Sequence, residues 1–269
     1  MHFNSQQPTI NNSLIYIIAI VGSFIAGCIN TLAGNGSAIT LTILTEVLGL
    51  PPNIANGTNR VGVVAQGTAA SWVFYKNKML DLGRDRLLII MTTLGAVVGV
   101  YVATIVSNEQ FKTVFSYLLV LMLFVILIKP KRWLRETDTT FKPSRWIMVP
   151  AFLGIGFYGG FIQMGMGIFF LAIMVLGARY SIMNANAVKS LVVTIYTLIV
   201  IAIFQYKGLI DWPMGLLMAV GQTAGGWLTA IYGSKYKSAN VWAHRLLVVI
   251  VVGAIIKLFG IHNFLMKFF

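Results

Sequence analysis

Charge is what this chain has least of: Asp, Glu, Lys and Arg together make up 10% of its 269 residues, against about one quarter in soluble domains. Too little charge is present to clothe a solvated surface. Only one cysteine, Cys28, occurs, which excludes an intramolecular disulfide and any cage of cysteines around a metal. His2, His244 and His262 are isolated and lie near segment ends, so no metal site is read. The string Gly34-Asn35-Gly36-Ser37 lacks the Gly-Lys-Ser/Thr of a phosphate loop, and ATP hydrolysis has no support. An intramembrane enzyme would need a nucleophile–base pair or metal ligands within apolar runs. Neither His-Glu-x-x-His nor a Ser–Lys pairing occurs. The reading is therefore no enzyme, no cofactor and no metal.

What the chain does have is apolar length. Hydrophobic residues make up 58% of it, gathered in runs at about 13–29, 31–49, 56–75, 86–106, 111–128, 146–162, 164–177, 186–205, 213–232 and 241–260. None alternates as a barrel strand would. The pattern predicts an all-α membrane protein, a single membrane transport domain over 1–269 with about 8–10 helical membrane segments at about 20 residues each. No Lys or Arg precedes the first run, so that run reads as a retained membrane segment rather than a signal peptide.

Two runs are unusual. Residues 31–49 are rich in Gly, Ser and Thr, and 164–177 is only 14 residues long. Both follow another apolar run with no charged loop between them. They read as arms of two re-entrant or broken helical hairpins, 13–49 and 146–177, which survive at membrane depth only when buried in protein or lining a cavity. Whether each arm spans or re-enters is open.

The chain also repeats itself. A shift of 130 lays Asn56 on Asn186, Phe74 on Phe204, Asp81 on Asp211 and Gly95 on Gly225. This divides it into repeat one (about 13–128), a loop at 129–145, and repeat two (about 146–260). The loop holds six basic residues (Lys129, Lys131, Arg132, Arg135, Lys142 and Arg145), so the positive-inside rule places it in the cytoplasm. Both termini then come out external, and the two repeats have inverted topology. Inverted repeats that meet at discontinuous helices are a common architecture of secondary transporters. The net charge of +13 sits in such loops rather than on one folded face, so nucleic acid is not a partner.

Asn56-Gly57-Thr58-Asn59-Arg60 and Asn186-Ala187-Val188-Lys189 are the sharpest candidates for a site. Each is expected to open a helix, where free N–H groups beside a cation would bind an anion. The competing reading is that Arg60 and Lys189 snorkel to lipid headgroups. Asn30 and Gln163 fall at equivalent turns of the hairpins, and Gly34 and Gly165 (with Gly36 and Gly167) would admit close backbone approach or simply tight helix packing. Asp81, Asp85 and Asp211 read as helix caps. Glu46, inside an apolar run, is either an interfacial residue or a proton relay. So few carboxylates suit export: expelling a monoanion from a negative interior releases about 2.3 kcal/mol per 100 mV without a coupling ion.

Several of these strings resemble a known family. Ala26-Gly27, then Asn30-Thr31-Leu32-Ala33-Gly34-x-Gly36-Ser37, Gly49-Leu50-Pro51-Pro52 and Ala55-Asn56-Gly57-Thr58-Asn59-Arg60-Val61-Gly62 look like the first half of the sulfite exporter TauE/SafE family. Gly156-Phe157-Tyr158-Gly159-Gly160-Phe161-Ile162-Gln163 and Ala185-Asn186-Ala187-Val188-Lys189 resemble its second half. Met164-Gly165-Met166-Gly167 departs from it, carrying larger residues than expected after Gln163. The resemblance implies a multi-pass permease of the bacterial cytoplasmic (inner) membrane exporting sulfite, sulfoacetate or other organosulfonates. The partners so implied are a small anion and membrane lipid, with a homodimer left open. A passive anion channel is the alternative the residues also allow.

Overall fold

The computed structural model describes residues 12–104, 136–141, 143–161 and 163–236, with scattered positions between 238 and 252. The expected segments at 111–128 and most of 241–260 lie outside the described residues. Among the described residues every regular element is helical.

Local chemistry explains where the helices start. Pro51 and Pro52 cannot donate within a first turn, and α3 (Pro52–Lys76) begins on them. Asp81 accepts from the amides of Gly83 and Arg84 to open α4 (Leu82–Ala103). Ser181 accepts from Asn184 to open α7 (Ile182–Tyr206), and Asp211 from Met214 to open α8 (Trp212–Lys235). The remaining helices are α1 (Asn12–Ala33), the short α2 (Gly36–Thr42), α5 (Arg145–Phe161) and the short α6 (Met166–Ala172). Each short helix continues into a π-helical turn, at Ile43–Val47 and Ile173–Gly177.

These starts correct two expectations. Asn56 and Asn186 do not open their helices; each is the fifth residue of α3 or α7. The free first-turn amides are therefore a turn upstream, and Ser181 already fills one of them. Asp85 is not a cap either: it is buried, and its carboxylate accepts from the Tyr180 hydroxyl. Asp81 and Asp211 are caps, as read from the sequence.

Four helical stretches are long and apolar enough to cross a membrane: Ile15–Ala33, Leu82–Ala103, Ile182–Tyr206 and Trp212–Lys235. Helix α3 matches α7 in length at 25 residues but carries Asn59, Arg60 and Gln66 inside the protein, with Asn56 half-buried. The two short arms have 7 helical and 5 π-helical residues each. At about 1.5 Å per residue either falls well short of a bilayer core of about 30 Å. The first short arm folds back along its long neighbour, with Gly36 against Ala26 and Asn30, and Gly22 facing Ile43.

The halves share one plan. From Gly36 on, element starts recur 130 positions later: Gly36 with Met166, Ile43 with Ile173, Pro52 with Ile182, Leu82 with Trp212. Left-handed backbone recurs at the same offset even where only one partner is glycine, at Gly49 and Arg179 and at Lys78 and Gly208. Helix α1 packs along α8 as α5 packs along α4, and exchanging the halves maps one pair onto the other. In both pairs the helices run parallel: Gly221 lies against Ile20 and Gly225 against Cys28, while Gly156 lies against Thr92 and Gly160 against Ala96. Helices α3 and α7 run antiparallel, with Gly57 against Leu209 and Gly67 against Ser190 and Thr194. The main core gathers α6 and α7 side chains such as Ile168, Phe170, Val192 and Val200 around Phe152 of α5.

One end of the molecule is tied by a loop. Asp138 pairs with Arg179 at 3.2 Å, and its carbonyl accepts from Arg84 at 3.1 Å. Hydrogen bonds from Thr140 and Arg179 hold the Asp138 carboxyl below the usual range.

Candidate functional site

A helix leaves its last four carbonyls without intrahelical partners, and buried ones must find donors elsewhere. Helices α1 and α5 both end inside the protein, so their last carbonyls need such donors. Lys189 of α7 donates from Nζ to Asn30 O at 2.6 Å and to Asn186 Oδ1, while Asn186 Nδ2 donates to Leu32 O at 2.8 Å. In the other half Arg60 of α3 donates from Nη1 to Gly159 O at 2.8 Å and from Nη2 to Gly160 O at 3.2 Å. It also donates to Asn56 Oδ1, and Asn56 Nδ2 donates to Phe161 O at 3.4 Å. Each half thus supplies an Asn–cation pair that closes the C-terminal end of a helix in the other half, α1 or α5. That end carries the negative pole of the helix dipole. Cation and pole are matched.

Burial settles the snorkelling alternative. Arg60 is 0% exposed and Lys189 3%, and both reach carbonyls inside the protein rather than a lipid headgroup. A cation at membrane depth costs at least about 2.5–3.5 kcal/mol, which charge-assisted hydrogen bonds of about 1.5–3 kcal/mol each offset.

The two hairpin turns touch. Gly34 and Gly167 stand backbone to backbone, so that a Cβ on either would overlap the other. Gly34 has φ +78°, and across the contact Gln163 has φ +64° and Gly165 φ +78°. Left-handed backbone is uncommon for a residue such as Gln163, and strain of this kind concentrates where a ligand must be met.

Beside the contact is a cavity of about 20 Å³ lined by Asn30, Gly34, Gln66, Gln163, Lys189 and Ser190, with Val63, Gly67, Met166, Gly167 and Val193. This is room for about one water. Of the candidate residues, then, Asn30, Gly34, Gln163 and Lys189 come together at the cavity. Arg60, Asn56 and Asn186 stand behind it as caps, and Gly165 forms the turn before α6. Thr58 accepts from Asp211 N at 2.9 Å, and Asn59 accepts from Thr40, so both are occupied in holding neighbouring segments. The Glu46 side chain lies outside the described ones.

Sequence reasoning missed Gln66 and Ser190. Gln66 accepts from Asn30 Nδ2 at 3.0 Å and donates to Gly27 O and Thr31 Oγ1, so it fixes Asn30 at the cavity wall. Its signal was available: it is the only amide side chain between 61 and 75. Lys189, which also lines the cavity, spends two N–H donors on Asn30 O and Asn186 Oδ1. Gln163 Oε1 is buried with no hydrogen-bond partner among the described residues. An amine, the amide side chains of Asn30, Gln66 and Gln163, and the Ser190 hydroxyl thus line one small space.

The sequence model described as "Sulfite exporter TauE/SafE" matches residues 19–258, nearly the whole chain. The chain belongs to the sulfite exporter TauE/SafE family. Among curated relatives of this family member, "Probable membrane transporter protein ORF9" of Sinorhizobium sp is 29% identical over 220 residues, covering 82% of each chain. A "Probable membrane transporter protein" of Haemophilus influenzae is 28% identical over 81% of this chain and 84% of its own. "Probable membrane transporter protein YfcA" of Escherichia coli K12 is 26% identical over 76% of this chain and 75% of its own. No solved structure matches. This TauE/SafE protein is accordingly a multi-pass membrane protein of a transporter family.

Proposed function

We propose that this protein exports small sulfur-containing anions, such as sulfite, sulfoacetate or another organosulfonate, across the cytoplasmic membrane of a bacterium. The observation that carries the reading is the cavity at the meeting of the two hairpin turns, where buried Lys189 faces Gln163 and Asn30. Lys189 and Gln163 contact the anion, and Asn30 and Ser190 complete its shell. Gly34 and Gly165 shape the turns. Asn56, Thr58, Asn59, Arg60 and Asn186 hold the frame in register.

On this reading the halves are inverted-topology repeats forming one transport domain, and the short arms are re-entrant. Support comes from the antiparallel run of the equivalent helices α3 and α7, from the matched helix pairs, and from arms too short to cross a bilayer. The loop 129–145 is cytoplasmic and the termini external. A cysteine in place of Ser144 should then react with an impermeant reagent only in inside-out vesicles; reaction in intact cells overturns the orientation.

A cavity of about 20 Å³ is too small for the four heavy atoms of sulfite, so the site must widen to load. That favours a carrier, with the site closed between openings, over a continuous pore. Counterflow in proteoliposomes tests this. External sulfite or sulfoacetate should accelerate efflux of the labelled internal anion; efflux indifferent to the trans anion would instead mark a channel, and no flux of either anion would reject the substrate class.

A further inference from the structure

A second site lies far from the hairpin turns, at the end where α4 and α5 both begin. These helices run parallel, so their positive poles open side by side. Between them is a cavity of about 840 Å³ rimmed by Arg84, Arg86 and Arg145 and walled by apolar side chains including Leu88, Ile90 and Met148. Among the described lining residues Asp81 is the one carboxylate, and it already accepts from the amides of Gly83 and Arg84. Arg84 is fixed: its guanidinium stacks over the Tyr180 ring at 4.2 Å and donates to Asp138 O. Arg86 and Arg145 have no hydrogen-bond or ion-pair partner among the described residues, and both are exposed.

The surroundings say which medium this cavity meets. Trp146, next to Arg145, is 92% exposed, and Ile147 and Ile90 are exposed as well. A bare Trp beside arginines and aliphatic side chains marks the boundary between headgroups and hydrocarbon. The cavity is therefore cationic at its rim, apolar below and open at the membrane surface. The volume also exceeds what a small oxyanion would fill and suits a ligand of up to about 1,000 Å³.

We infer that this cavity is a binding site for an anionic glycerophospholipid, its phosphate group held by Arg86 and Arg145 and its upper acyl chain lying on Leu88, Ile90 and Met148. Basic pockets between membrane helices take such headgroups. The site does not depend on the transport reading above, since it uses none of the residues of the central cavity.

The test is lipid retention, read by native mass spectrometry of the purified full chain. Wild-type protein is mixed with dioleoyl phosphatidylglycerol or dioleoyl phosphatidylcholine, and Arg86→Gln/Arg145→Gln is compared with it; both positions are exposed, so folding should survive. We expect wild type to retain phosphatidylglycerol over phosphatidylcholine, and the double variant to lose about tenfold to thirtyfold of that preference. Inorganic phosphate and sulfoacetate should leave the bound lipid in place, because neither supplies the acyl contacts. Equal retention of the two lipids by wild type overturns the proposal, as does undiminished preference in the double variant. Displacement by phosphate or sulfoacetate overturns it too, and would mark the cavity as an aqueous anion vestibule.

Discussion

Lys189 of the second half donates its ammonium to the carbonyl of Asn30 in the first, 2.6 Å away and 159 positions apart in sequence. The bond ties Lys189 to the C-terminal end of α1 at the wall of the central cavity. Charge-assisted bonds of this kind are worth about 1.5–3 kcal/mol. Lys189→Gln should therefore weaken anion binding about tenfold to a hundredfold in titrations on purified protein. Asn186→Ala should do less, since it removes a neutral donor and the lysine's second acceptor. Wild-type affinity in Lys189→Gln would remove the lysine from the site.

Arg60 should behave differently from Lys189. It is absent from the cavity lining, and its donors go to Gly159, Gly160 and Asn56. Arg60→Gln leaves buried carbonyls without donors, at about 1–3 kcal/mol each. The loss should appear first as a lowered melting temperature in detergent. Arg60→Lys should fall between, because one ammonium cannot reproduce a planar fork. If Arg60→Gln keeps its melting temperature and loses only affinity, the arginine touches the anion directly.

The contact between Gly34 and Gly167 makes a graded prediction. Alanine at Gly167 meets the backbone of Gly34. Alanine at Gly34 meets Gly167 and must also hold φ near +78°, a left-handed conformation that costs an L-residue about 1–2 kcal/mol more. Both should lower the yield of folded protein, Gly34→Ala the more. Equal behaviour of Gly34→Ala and wild type in thermal unfolding would mean that the turns do not touch.

In many transporters the carbonyls at the end of a broken helix coordinate a coupling cation. Here Lys189 and Arg60 already occupy those carbonyls with tethered charge. Transport should accordingly proceed without sodium and at equal pH on both sides. A potential of 100 mV, negative inside, should drive a monoanion to about a fiftyfold gradient. Flux that requires sodium or a pH gradient would show a coupling site elsewhere, with Glu46 the first residue to replace.

Much of this plan was legible in the sequence. Side-chain identities repeat at 130 positions because both halves build the same helices, and the interrupted runs betray the short arms through their length and their glycines. The helix starts were less legible: Pro51 caps α3 and Pro52 is its first residue, although the apolar pattern begins only beyond them. The exchange of caps between halves could not be read at all. Its acceptors are main-chain carbonyls of Asn30, Leu32, Gly159, Gly160 and Phe161, and a carbonyl carries no residue-type signal. Gln66 was visible as a lone amide, but its role came from Asn30, which is 36 positions away.

The transported anion is proposed to sit beside Lys189 and Gln163. Ser190 lines the same cavity and is 5% exposed, so Ser190→Cys in a Cys28→Ser background places a thiol at the proposed site. Its labelling by a small maleimide should be followed in proteoliposomes with and without sulfoacetate (sulfite itself would consume the reagent). Sulfoacetate should slow labelling at Ser190→Cys, in step with its saturation of flux, and leave labelling at Ser144→Cys unchanged. Labelling of Ser190→Cys at an unaltered rate, under sulfoacetate that saturates transport, would contradict that placement.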